Sequence, residues 1–143
     1  MLSLQVDSTK LVLFGHSVGG AVALHLAAST QSSEAKPAVV LVENTFTSIP
    51  EMAGPLMRRF GDWLPSQWKN NERIQEIACP ILLLSGRKDT IVPPEMMDLL
   101  KCVASASAEC KLVEFPEAGH NDVPQAEGYY DALKAFVAAH VGA

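Results

Sequence analysis

Ser17 stands in Gly15-His16-Ser17-Val18-Gly19, a G-x-S-x-G pentapeptide. It follows the apolar, β-prone run Lys10 to Phe14 and opens an alanine- and leucine-rich stretch, Gly19 to Ala28, of high helix propensity. A strand, this pentapeptide and a helix together make a nucleophile elbow, whose sharp turn strains the serine backbone and crowds its neighbours. Glycines two before and two after the serine fit that crowding. The turn places Ser17 at a helix N-terminus, where free N–H groups and the helix dipole favour the negative charge that develops in acyl transfer. The Val18 N–H is the predicted oxyanion donor. Without partners, the same five residues would be a glycine-rich β-to-α turn with an incidental serine as helix cap.

A serine hydroxyl needs a base, and the base needs a carboxylate to orient it. Asp89 lies in Ser85-Gly86-Arg87-Lys88-Asp89, just past a third apolar run, and His120 lies in Pro116-Glu117-Ala118-Gly119-His120, just past a fourth. The order Ser, Asp, His is the one expected when such an elbow sits on a parallel sheet. Glu43 also ends a strand and is the alternative acid, although Asn44 and Thr45 beside it suggest a loop-tying role as readily. Asp122 is read as holding the loop of His120. His16 is expected to line a pocket or serve structure, His25 to be packed and His140 to lie on the surface. No histidine, cysteine or carboxylate spacing suggests a metal site, and acyl transfer through a serine calls for no cofactor.

Four strands must carry these groups: Lys10 to Phe14, Ala38 to Val42, Pro80 to Ser85 and Lys111 to Phe115. Helices are expected over Gly19 to Ala28, Asn71 to Ala78, Pro94 to Val103 and Gln125 to His140, the last with Leu133, Phe136, Val137 and Val141 on one face. Nearly continuous apolar strands alternating with helices imply an α/β fold with a mainly parallel sheet covered on both faces. In such sheets sites form outside the carboxyl ends of the strands, where Ser17, Asp89 and His120 all fall. Residues 44–70 are broken by Pro50, Gly54, Pro55, Gly61 and Pro65 and read as a lid-like excursion. Phe60 and Trp63, with Leu56, Met57, Leu64 and Trp68, would line an apolar acyl pocket together with His16, or else hold a lid on the sheet.

The 143 residues suit one domain. Apolar residues make up 48% and charged ones 19%, so the chain is of globular and not disordered composition. A net charge of -5, with no basic run beyond Arg58-Arg59 and Arg87-Lys88, excludes a nucleic-acid footprint. Cys79, Cys102 and Cys110 lack C-x-x-C spacing and are expected as buried free thiols in a reducing compartment. No apolar run approaches a membrane span and no signal peptide is evident, so the chain as written reads as soluble and intracellular.

The stretches GHSVGGAVA (Gly15 to Ala23), VENTFTSIPEMA (Val42 to Ala53), LLLSGRKDTIVPPEMM (Leu82 to Met97) and FPEAGHND (Phe115 to Asp122) resemble the α/β-hydrolase superfamily. More narrowly they resemble the Bem-like proteins, also called alpha/beta-hydrolase-domain-containing protein 13-like. The resemblance implies that Ser17, Asp89 and His120 are nucleophile, acid and base, acting on a small-molecule or acylated substrate. It also implies that residues 1–143 are the C-terminal part of the fold, with strands resembling the fifth to eighth. On this expectation the H-G-type loop with the second oxyanion donor and the family's N-terminal membrane anchor are both missing, and Lys10 to Phe14 is left as an open edge that invites self-association. Two alternatives remain: a serine aminopeptidase-like hydrolase, and a catalytically impaired fragment acting as a binding or regulatory module.

Overall fold

The computed structural model describes residues 7–52 and 68–141. Strands β1 (Val12–His16), β2 (Val39–Glu43), β3 (Ile81–Gly86) and β4 (Cys110–Phe115) form one sheet in the order β1-β2-β3-β4, parallel throughout. Between them run α1 (Val18–Ser29), the short turns α2 (Ile49–Met52) and α3 (Asn70–Arg73), and α4 (Glu95–Val103); α5 (Tyr129–His140) closes the chain. The register pairs Val40 with Ile81 and Leu83 with Leu112, so alternate residues face opposite sides.

One face of the sheet buries Val40, Val42, Ile81 and Leu83 against Leu24 and Ala27 of α1, Met97 and Leu100 of α4, and Ile74 and Ile77 after α3. The other buries Val39, Leu41, Leu82 and Leu84 against Phe115, Tyr129 and Phe136. Each such aliphatic side chain contributes about 1.5 to 3 kcal/mol relative to exposure. The central strands β2 and β3 are therefore buried at every position, whereas β1 and β4 are only partly so. Every strand falls within two residues of its expected place, which supports the α/β, mainly parallel fold read from the sequence.

Three local expectations differ. The last helix begins at Tyr129, not Gln125: Val123–Gln125 is a 3-10 turn, and Gly128 at φ 80 breaks the path before α5 starts. The opening of the excursion is core rather than lid, because Asn44 to Ser48 are all buried and Phe46 packs with Ala21, Val92 and Met96. Trp68 joins this cluster as packing, while Phe60 and Trp63 lie outside the described residues. Cys102 is exposed, on the side of α4 away from Met97 and Leu100, and Cys79 and Cys110 are half-buried; all three thiols are free. Among the described residues no helix is long and apolar enough to cross a membrane.

Candidate active site

β1 delivers the chain to Ser17, which takes φ 53 and ψ -120, a left-handed conformation rare for a residue with a side chain. Hydrogen bonds hold it there. The Ser17 N–H donates to the Glu43 carbonyl at 2.9 Å, and the Ser17 carbonyl accepts from the Gly20 N–H at 3.0 Å and the Thr45 hydroxyl at 2.8 Å. Gly15 is forced by the turn: a Cβ on it would lie 2.1 Å from the Gly19 carbonyl oxygen. Gly19 is different, because a Cβ there would meet nothing within 4 Å among the described residues beyond its chain neighbours and its own helix backbone. The second glycine that close packing demands is Gly20, whose Cβ would fall 2.8 Å from that of Thr45. Val18 is the first residue of α1, so its N–H has no intrahelical acceptor and is available to an oxyanion.

Asp89 follows β3 and is buried, as a carboxylate can be when fully hydrogen-bonded. Its Oδ1 accepts from the Ile91 N–H at 2.8 Å and the Val92 N–H at 2.9 Å, leaving Oδ2 to face the His120 Nδ1 at 2.6 Å. A carboxylate only accepts, so Nδ1 carries a proton, and Nε2 is the nitrogen that holds the lone pair whenever the ring is neutral. That is the tautomer a general base needs. The Ser17 hydroxyl makes no hydrogen bond to His120 among the described residues; such contacts tighten when substrate is bound.

His16 packs against His120. Its Nε2 donates to the His120 carbonyl at 2.8 Å, and the two rings approach to 4.8 Å between centroids. It also lines a cleft of about 490 Å³ with Phe14, Glu43, Asn121, Tyr129 and Leu133. Glu43, the alternative acid, does not touch His120: its Oε2 accepts from the Tyr129 hydroxyl at 2.6 Å, and its Oε1 lies 3.9 Å from His16 Nε2. Burial, reinforced by that bond to Glu43, pushes the Tyr129 phenol above the usual tyrosine range. Asp122 accepts from the Gly119 N–H and so ties the base loop. His25 proves exposed, and His140 is half-buried, its ring tilted against Phe136 and 3.1 Å from Glu109, the reverse of expectation. Among the described residues no group of His, Cys, Asp and Glu is arranged to hold a metal ion.

The site is thus a strained serine at a helix start, set on the same sheet edge as a histidine–carboxylate pair. Residues 2–138 match the dienelactone hydrolase family. The chain belongs to that family. It is 39% identical over 138 residues to protein bem46 of Schizosaccharomyces pombe, covering 92% of this chain and 44% of that one. It is 38% identical to the uncharacterized membrane protein YNL320W of Saccharomyces cerevisiae, covering 90% of this chain and 45% of the relative. These matches bear out the Bem-like resemblance, and the chain spans less than half the length of either relative. Among solved structures it superposes on the Pyrococcus furiosus esterase Pf2001 with a TM-score of 0.72 at 18% identity, over 92% of this chain and 53% of that one. That likeness places this dienelactone hydrolase family member in the α/β-hydrolase fold.

Proposed function

We propose that this family member is a serine hydrolase that cleaves an ester, thioester or amide through an acyl-enzyme on Ser17. The observation that carries the reading is the 2.6 Å hydrogen bond from His120 Nδ1 to Asp89 Oδ2, beside a serine held at φ 53.

In the first step the Ser17 oxygen bonds to the substrate carbonyl carbon while its proton passes to His120 Nε2, and the carbonyl oxygen becomes an oxyanion facing the Val18 N–H. Collapse of the intermediate breaks the bond to the leaving group, which takes the proton from His120. Water then attacks the acyl-enzyme in the same way, with His120 again as base, and releases the acid. Asp89 stays ionised and keeps the imidazole in its reactive tautomer. Only water is consumed.

A serine aminopeptidase-like activity would use the same groups on an amide. The test is covalent labelling of the intact protein with a fluorophosphonate probe. Wild type is expected to be labelled at Ser17, and Ser17→Ala to be blank. Labelling that persists in Ser17→Ala overturns the assignment of the nucleophile; absence of labelling in wild type favours a binding or regulatory module.

A further inference from the structure

β2 carries no member of the proposed triad, yet the residues at its end touch the loops of all three. Glu43 and Thr45 hold the Ser17 backbone, as described above. Between them Asn44 is 1% exposed and adopts φ 43, a left-handed conformation that asparagine tolerates better than most residues.

The carboxamide of Asn44 is used on both sides. Its Nδ2 donates to the Gly119 carbonyl at 3.1 Å and the His120 carbonyl at 3.0 Å, while its Oδ1 accepts from the Gly86 N–H at 2.8 Å. Gly86 ends β3, three positions before Asp89, and Gly119–His120 is the loop of the base. One side chain therefore bridges the acid loop and the base loop. The His120 carbonyl is gripped twice, by Asn44 Nδ2 and by His16 Nε2. Two donors and an acceptor in one short planar group are what this place requires: aspartate offers no donor when ionised, and serine or threonine offers only one.

We propose that Asn44 is a positioning residue for the triad, fixing the backbone of His120 against the end of β3 so that its ring can face Asp89 on one side and Ser17 on the other. The proposal rests on the acyl-enzyme reading above. Asn44→Asp keeps the shape, the acceptor for Gly86 and the tolerance for left-handed backbone, but turns a carboxylate oxygen toward two carbonyl oxygens. In the intact protein it should lower kcat for p-nitrophenyl butyrate by about 10²-fold per fluorophosphonate-titratable site, the scale of an ångström misplacement of a catalytic group, with little change in KM. The apparent pKa of the kcat profile should move with it. The low-field proton resonance of His120 Nδ1–H should shift or broaden in the same variant, whether or not there is turnover.

If Asn44→Asp lowers only the melting temperature, leaving kcat per titrated site and the His120 resonance unchanged, the positioning role is overturned. If that variant fails to fold, Asn44→Gly suits the left-handed backbone and removes all three bonds; it should show the same losses, and a wild-type kcat and resonance there would equally overturn the role. A wild type with no Ser17-dependent turnover would instead overturn the acyl-enzyme reading, and the resonance would still decide whether Asn44 places His120.

Discussion

His120 Nδ1 and Asp89 Oδ2 meet at 2.6 Å while the other oxygen of that carboxylate is occupied by the Ile91 and Val92 amides. The carboxylate is anchored independently of the histidine, so its free oxygen has one direction in which to act. Asp89→Asn presents an amide where Nδ1 must donate, turning the imidazole to the wrong tautomer. The expected loss in kcat is about 10³- to 10⁴-fold in the intact enzyme. Glu43→Gln should cost far less, since that carboxylate faces Tyr129. Steady-state kinetics on both variants decide it; the reverse order of damage would make Glu43 the acid.

Gly15 and Gly19 should separate in a stability measurement. A methyl group at Gly15 would run into the Gly19 carbonyl 2.1 Å away, so Gly15→Ala should destabilise by about 3 kcal/mol or more. At Gly19 an added Cβ would meet no described atom within 4 Å beyond its chain neighbours and its own helix backbone, and alanine is the better helix former by up to about 1 kcal/mol. Thermal melts are expected to show Gly15→Ala unfolding well below wild type and Gly19→Ala at or above it.

The four strands were legible because each is a short apolar run bounded by turn residues, and the elbow because its pattern is local. The faces of α1 were not. Its sequence is apolar on every side, so nothing marked Val18, Val22 and Leu26 as an exposed stripe or His25 as its exposed neighbour. The start of α5 was misplaced because Gln125, Ala126 and Glu127 are adequate helix residues, and only Gly128 signalled the break. Asn44 could be read as a loop residue but not as a bridge, since its partners lie 42, 75 and 76 positions away and sequence spacing carries no trace of them. Tyr129 as the partner of Glu43 was hidden in the same way, 86 positions off.

Tyr129→Phe removes the hydrogen bond to a buried carboxylate and should cost about 2 kcal/mol by denaturant titration. The phenol's pKa is raised by burial and by Glu43, so the protonated form is favoured in the fold. The resulting stability is fully present below the usual tyrosine range and is lost as pH rises above it. Absorbance at 295 nm is expected to show one tyrosine ionising late, together with unfolding; its disappearance in Tyr129→Phe identifies the residue.

Thiol reactivity should follow burial. Cys102 is exposed, whereas burial pushes the Cys79 thiol up to about 11 and raises Cys110 as well. At about pH 8 only some 10⁻³ of Cys79 is thiolate, so iodoacetamide should modify Cys102 first and Cys79 increasingly as pH rises toward 11. Peptide mass spectrometry reads the order, and equal rates at all three would contradict the burial.

Self-association through the rim of β1 is a further proposal. Among the described residues no strand pairs with its outer side, and Phe14 is 52% exposed there. An open apolar rim recruits another chain. The 143-residue chain is expected to elute larger than a monomer, and Phe14→Lys to shift it toward one. Identical, monomeric elution of both would rule the contact out.

In this sheet the order in space is the order of synthesis, β1-β2-β3-β4. Each of β2, β3 and β4 finds its described neighbour already synthesised, so this part of the sheet can assemble as a vectorial zipper. The elbow needs β1, α1 and the end of β2, but the partner of Asp89 arrives 31 positions later, and the Asn44 bonds to Gly119 and His120 wait for that same loop. A nascent chain therefore carries an unarmed serine, however well its early strands have docked. Arming therefore waits for the segment that follows β4, and a polypeptide stalled before Gly119 and His120 has no means of assembling the proposed site.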